Sequence, residues 1–205
     1  MWRTDNWQMA LAIEPQAGAI FDVAWSADSR SIALACETGD VFLVRDIEQT
    51  DQPYVQLIKH KAAAHCVKFV SGRDAVASGG DDRTILLTNT DSGELLATWF
   101  VDEAVRSLAV SPDGNEIVAA EPASYGFVRI NLVSGDVQYL PGRHRSSVTE
   151  LCFSDRIPGG VPAKESTELF TSSGDGTIQV WNSRSEAIAE IAGGFSGVQT
   201  IATNR

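Results

Sequence analysis

The chain has 205 residues, 27 acidic against 16 basic side chains and a net charge of −11. That balance argues against general nucleic-acid binding and against anionic membranes, both of which call for a basic footprint. No apolar run approaches the roughly 20 residues of a membrane-spanning helix, and no signal-peptide pattern precedes Asp5.

In chain order, Trp2 to Ile13 reads as the end of a third strand, a turn and a fourth strand. Ile20 to Trp25, Ser31 to Cys36, Asp40 to Arg45 and Tyr54 to Ile58 then read as four short strands. Breakers separate them at Ser26-Ala27-Asp28-Ser29, Glu37-Thr38-Gly39 and Asp51-Gln52-Pro53. The same order recurs. Its leading apolar residues are Ile20, Ala64, Val105, Val148 and Val198, at steps of 44, 41, 43 and 50. The long step contains an insertion from Asp155 to Glu165. Ser185 to Ala192 has helix-forming composition, but its place in the repeat makes it a fourth strand. Val198 to Asn204 reads as a first strand again.

Periods of about 40–45 residues with four strands each are the signature of propeller blades. The expected fold is therefore all-β, with blades near 16–59, 60–100, 101–142 and 143–193 and partial strands at 1–15 and 194–205. An open ring exposes strand edges. The expectation is thus a single incomplete propeller domain, part of a longer chain. A small imperfect ring, or completion by a partner chain, are the alternatives.

The clearest repeat contains Arg143-His144, Thr171, Asp175 and Trp181-Asn182. The second repeat has His60, Ser78 and Asp82, with Thr88 in place of Trp. These residues resemble the WD40-repeat family, whose unit carries a Gly-His, a Ser-x-x-x-Asp turn and a closing Trp-Asp. Gln16, Thr38 and Arg45 stand at the corresponding places in the first repeat, and Val101, Tyr125 and Asn131 in the third. The resemblance implies a protein-interaction scaffold. Each matched His, hydroxyl, Asp and Trp is expected to join a buried structural network rather than a catalytic site.

No nucleophile elbow, phosphate loop or calcium loop is present, so no catalytic residue, metal site or cofactor is expected. Cys36, Cys66 and Cys152 lie in apolar strands without pairing spacing, as in an intracellular protein with reduced thiols. His65 follows Ala64 in a strand and faces either the channel or a neighbouring blade. What remains is surface. The rim made by second-to-third and fourth-to-first loops carries Asp81, Arg83, Glu103, Tyr125 and Arg145 as candidate partner contacts. The expected partners are proteins or peptides, not nucleic acid or membrane. A sensor or regulatory propeller of a larger multidomain protein, attached to an enzyme domain outside this sequence, is the alternative function, and a propeller hydrolase with a channel metal the third.

Overall fold

The computed structural model describes residues 12–47, 54–121, 123, 125–154, 168–182, 184–192 and 197–201. Among these, the chain forms strands and turns and no helix. Strands β1 Ile20–Trp25, β2 Ile32–Cys36, β3 Asp40–Val44 and β4 Val55–Lys59 make a first antiparallel sheet. A second comprises β5 Ala64–Phe69, β6 Ala75–Gly80, β7 Thr84–Asn89 and β8 Leu95–Phe100. The third is β9 Leu108–Val110, β10 Glu116–Glu121, β11 Gly126–Asn131 and β12 Val137–Leu140. The fourth is β13 Val148–Ser154, β14 Glu168–Ser173, β15 Thr177–Trp181 and β16 Ala187–Ala192. Each sheet is a meander, and β5, β9 and β13, the first strands of the second to fourth sheets, pack against the sheet before them. The result is a propeller-like array.

Burial explains the strand sequences. β2, β6 and β10 lie between neighbours on both faces, so they read as nearly continuous apolar runs instead of alternating. The fourth strands lie outermost and stay largely exposed. That is why the helix-like composition of 185–192 does not prevail. β16 buries little, and its pairing with β15, from Thr177↔Ala192 to Trp181↔Ala187, sets its conformation. The first-to-second turns of the first and third sheets share a device. Asp28 Oδ1 accepts the Ser26 hydroxyl and the Arg30 N–H, and Asp113 Oδ1 does the same for Ser111 and Asn115.

Two expected strands differ. Val105 does not open a strand, because its N–H is taken by the Gly80 carbonyl of the preceding sheet, and β9 begins only at Leu108. Val198 behaves alike, its N–H bonded to Ser173 O, and 197–201 forms no strand. The expected strands in 1–11, the residues after 201 and the insertion at 155–165 lie outside the described residues.

Successive sheets are linked by a device that residue types hide. A bulge falls between Ile20 and Asp22, Ala64 and Cys66, and Val148 and Glu150. The residue just after it reaches into the next repeat. Asp22 Oδ2 accepts the Val67 N–H at 3.0 Å, and Glu150 Oε2 accepts the Ile201 N–H at 2.8 Å. At the corresponding place in the third repeat, Ser107 Oγ accepts the Leu151 N–H at 3.1 Å. Cys66 instead donates its thiol toward Val105 O at 3.6 Å. Asp, Cys, Ser and Glu thus fill one role, 44, 41 and 43 residues apart.

Candidate interaction rim and the networks beneath it

Two buried histidines tie the rim loops together. His144 precedes β13. Its Nε2 accepts the Thr171 hydroxyl at 2.7 Å, and the Trp181 indole N–H donates to the same oxygen at 3.0 Å. On its other side, Nδ1 is 3.0 Å from Thr177 Oγ1 and 3.5 Å from Asp175 Oδ2. The threonine hydroxyl donates in turn to Asp175 Oδ1 at 2.7 Å, so Thr177 bridges ring and carboxylate. In the second sheet His60 Nδ1 is 3.0 Å from Asp82 Oδ1 and 3.1 Å from Thr84 Oγ1, and Nε2 is 2.9 Å from Ser78 Oγ. Thr84 and Thr177 were missed by the sequence reading. The signal was there, since each stands two residues after the turn Asp.

Each Asp also fixes the loop on the far side of the rim. Asp175 Oδ2 accepts the Arg145 N–H at 2.6 Å, and Asp82 Oδ2 accepts the Lys61 N–H at 2.8 Å. Burial alone would raise the Asp175 carboxyl. The Arg145 N–H, the Thr177 hydroxyl and the Thr177 N–H instead hold it down at about 2. Asp82 is lowered in the same way, burial being outweighed by Thr84, Lys61 and His60. The His144 ring moves the other way, lowered by burial despite the neighbouring Asp175.

The degenerate repeats use other chemistry. In the first, the Thr38 hydroxyl donates to Asp40 Oδ2, and Asp40 also receives Gln56 and Lys59 at 2.7 and 2.9 Å. In the third, buried Val101 replaces the histidine. Asn89, Asn131 and Asn182 share a job at the end of the third strand. Each Oδ1 accepts two backbone N–H groups of the following turn.

Above these networks lie the rim candidates. Arg83, Tyr125 and Arg145 are exposed, and Arg83 and Tyr125 hold left-handed φ of 61° and 57°. Asp81 is half-buried, with Oδ2 2.9 Å from His65 Nε2 and Oδ1 3.4 Å from Arg106. The His65 contact has ion-pair distance but not hydrogen-bond alignment. His65 meets the neighbouring sheet, its ring stacked on Phe21 at 4.7 Å. Glu103 Oε2 accepts the Ala123 N–H at 2.6 Å, which fastens the loop carrying Tyr125. Gly142 closes on that loop so tightly that a Cβ there would come 1.4 Å from Tyr125 O. Phe21, His65 and Arg106 therefore join the rim set. On the opposite rim a cavity of about 1000 Å³ is bordered by Trp25, Arg30, Phe69, Arg73, Pro112 and Phe153. Among the described residues no three or more His, Cys, Asp or Glu are grouped to hold a metal ion.

Residues 52–89 and 137–182 match the WD domain, G-beta repeat, family model. These are WD40 repeats. Each matched segment takes in the last strand of one sheet and the first three strands of the next, so each histidine network falls inside one unit. The chain is similar to WD repeat-containing protein 1 of Rattus norvegicus, with 26% identity across 89% of this chain and 30% of that protein. It thus spans about a third of that relative's length. It is 32% identical to eukaryotic translation initiation factor 3 subunit I of Coccidioides immitis, across 40% of this chain and 24% of that protein. It is also 34% identical to DDB1- and CUL4-associated factor 5 of Homo sapiens, across 38% of this chain and 9% of that protein.

Proposed function

We propose that the chain is a non-enzymatic scaffold that presents the rim of second-to-third and fourth-to-first loops to partner proteins or peptides. The observation that carries this reading is the stapling of loop to loop beneath exposed side chains. Asp175 holds the Arg145 backbone and Asp82 holds that of Lys61. A rim fixed in this way loses little entropy when a partner docks, which concentrates binding energy in a few side chains. Asp81, Arg83, Glu103, Tyr125 and Arg145 are the proposed contacts, with blades at 16–59, 60–100, 101–142 and 143–193 as the support. Relatives named as an initiation-factor subunit and as a factor associated with other proteins favour protein partners and an intracellular setting.

A second reading makes the chain a regulatory propeller within a larger protein. It is favoured by the chain's covering only 30% of WD repeat-containing protein 1. Affinity capture comparing the wild type, the Tyr125→Ala/Arg145→Ala double variant and a deletion of 156–165 tests the rim. Partners lost only in the double variant support it. Partners lost only on deletion move the site to the opposite rim.

A further inference from the structure

The lysines and arginines among the described residues fall into two equal groups. Arg30, Arg45, Lys59, Lys68, Arg106 and Arg129 each lie 2.6 to 3.4 Å from a carboxylate. Lys61, Arg73, Arg83, Arg143, Arg145 and Arg184 are exposed and have no carboxylate partner among the described residues. Acids outnumber bases 27 to 16 in the chain, so these cations are not short of acids to meet. Lys61, Arg83, Arg143 and Arg145 lie together on the rim of second-to-third and fourth-to-first loops.

Contacts string these four into one arc. Asp82 accepts the Lys61 N–H and precedes Arg83, whose carbonyl accepts the Val101 N–H at 3.0 Å. Glu103 holds the Ala123 N–H, and the Tyr125 carbonyl abuts Gly142, next to Arg143. Arg145 closes the arc on Asp175 through its N–H. The carboxylates along the way are engaged locally: Asp82 and Asp175 in the histidine networks, Asp81 with His65 and Arg106, Glu103 with the Ala123 backbone. Asp102 is exposed and lies toward Tyr139 of β12, whose phenol is raised by burial and then by Asp102.

Two side chains of the arc stand where the fold favours glycine. The residue just before the third strand has a left-handed φ in all four sheets: Gly39 at 87°, Arg83 at 61°, Tyr125 at 57° and Gly176 at 85°. Glycine adopts this conformation freely, whereas other residues are strained in it. Arg83 and Tyr125 are exposed, and neither side chain makes a hydrogen bond or ion pair among the described residues. Strain borne by side chains that do nothing for the fold points to a contact outside it.

We propose that this arc holds a carboxylate-rich peptide segment of a partner protein, its acids paired by Lys61, Arg83, Arg143 and Arg145 and its backbone packed on Tyr125. The site depends on the rim reading above and falls with it. A cationic arc on a molecule of net charge −11 steers a short acidic segment to this rim. The same acidic remainder repels the long phosphate backbone of a nucleic acid.

The probe is a fluorescein-labelled peptide alternating Glu and Ser, titrated with the 205-residue chain. It is expected to bind saturably, with affinity falling as salt rises. Arg83→Glu and Arg143→Glu should each weaken it by about tenfold or more. Arg73→Glu and Arg184→Glu change net charge equally away from the rim and should leave it unchanged. Arg83→Gly relieves the strained turn, so it should weaken the probe yet melt at or above the wild-type temperature. Absence of saturation, equal losses at Arg73 or Arg184, or equal affinity for a Gln and Ser counterpart overturns the proposal. So does tighter binding of a phosphoserine peptide or uridine oligonucleotide of equal charge, since the anion is then phosphate. Captured partners that need Tyr125 and Arg145 but ignore Arg83→Glu and Arg143→Glu reject the acidic segment and keep the rim. Partners lost only on deletion of 156–165 reject both.

Discussion

His144 is lowered from its ordinary value of 6.5 because burial penalises the charged ring more than Asp175 favours it. A depressed folded value means that the unfolded chain takes up the proton first. Stability from this residue is therefore complete above about pH 6.5 and is lost as pH falls below it. Asp175, moved from 3.8 to about 2, adds a second window, complete above 3.8 and lost as pH falls toward 2. Melting curves from pH 8 to 2 should show both declines, and His144→Asn should flatten the one that begins below about pH 6.5. An identical profile for that variant contradicts the assignment. Asp175→Ala strips acceptors from the Arg145 N–H and from Thr177, and should cost on the order of 1–3 kcal/mol. Thr38→Ala should cost less, because Asp40 keeps Gln56 and Lys59. Equal losses in denaturant melts would argue against the network.

Between elements, glycine decides how closely sheets approach. A Cβ on Gly79 would lie 2.3 Å from Val105 Cγ1 and 2.9 Å from Cys66 Sγ, wedging the second and third sheets apart. Gly79→Ala is expected to destabilise by about 1–3 kcal/mol, read from chemical denaturation. Ser107→Ala leaves the buried Leu151 N–H without its acceptor and should cost a similar amount. Gly142→Ala acts on the rim instead, since the added methyl meets backbone at Tyr125 O. It should reduce partner capture in parallel with Tyr125→Ala. Capture at wild-type level by Gly142→Ala would separate the Tyr125 loop from binding.

Across the whole array, each sheet is stabilised mainly by its neighbours. Amide exchange should be slowest in β6 and β10, which have a sheet on either side, and about tenfold or more faster in β1, whose outward face is bare. Uniform exchange across these strands would rule out a nearest-neighbour description. The repeat and its strand order were legible in the sequence because spacing survives when residue types drift. His60 and His144 were legible because a buried ring requires a fixed set of partners. The Asp22, Cys66, Ser107 and Glu150 links were not, since any side chain that can donate or accept will serve there. Val105 misled for a related reason. Its apolar side chain suits a strand, while its backbone is bonded to another sheet. Those links also give the molecule a grammar. Each is a hook on one unit and an eye on the next, always in the same direction along the chain. Excising or duplicating a whole span from one hook to the next leaves every hook with an eye, even between unlike residues. Loops between the links can lengthen, as at 155–165, but an excision that removes one hook without its eye orphans the other, so strands are gained or lost without a broken link only in whole units.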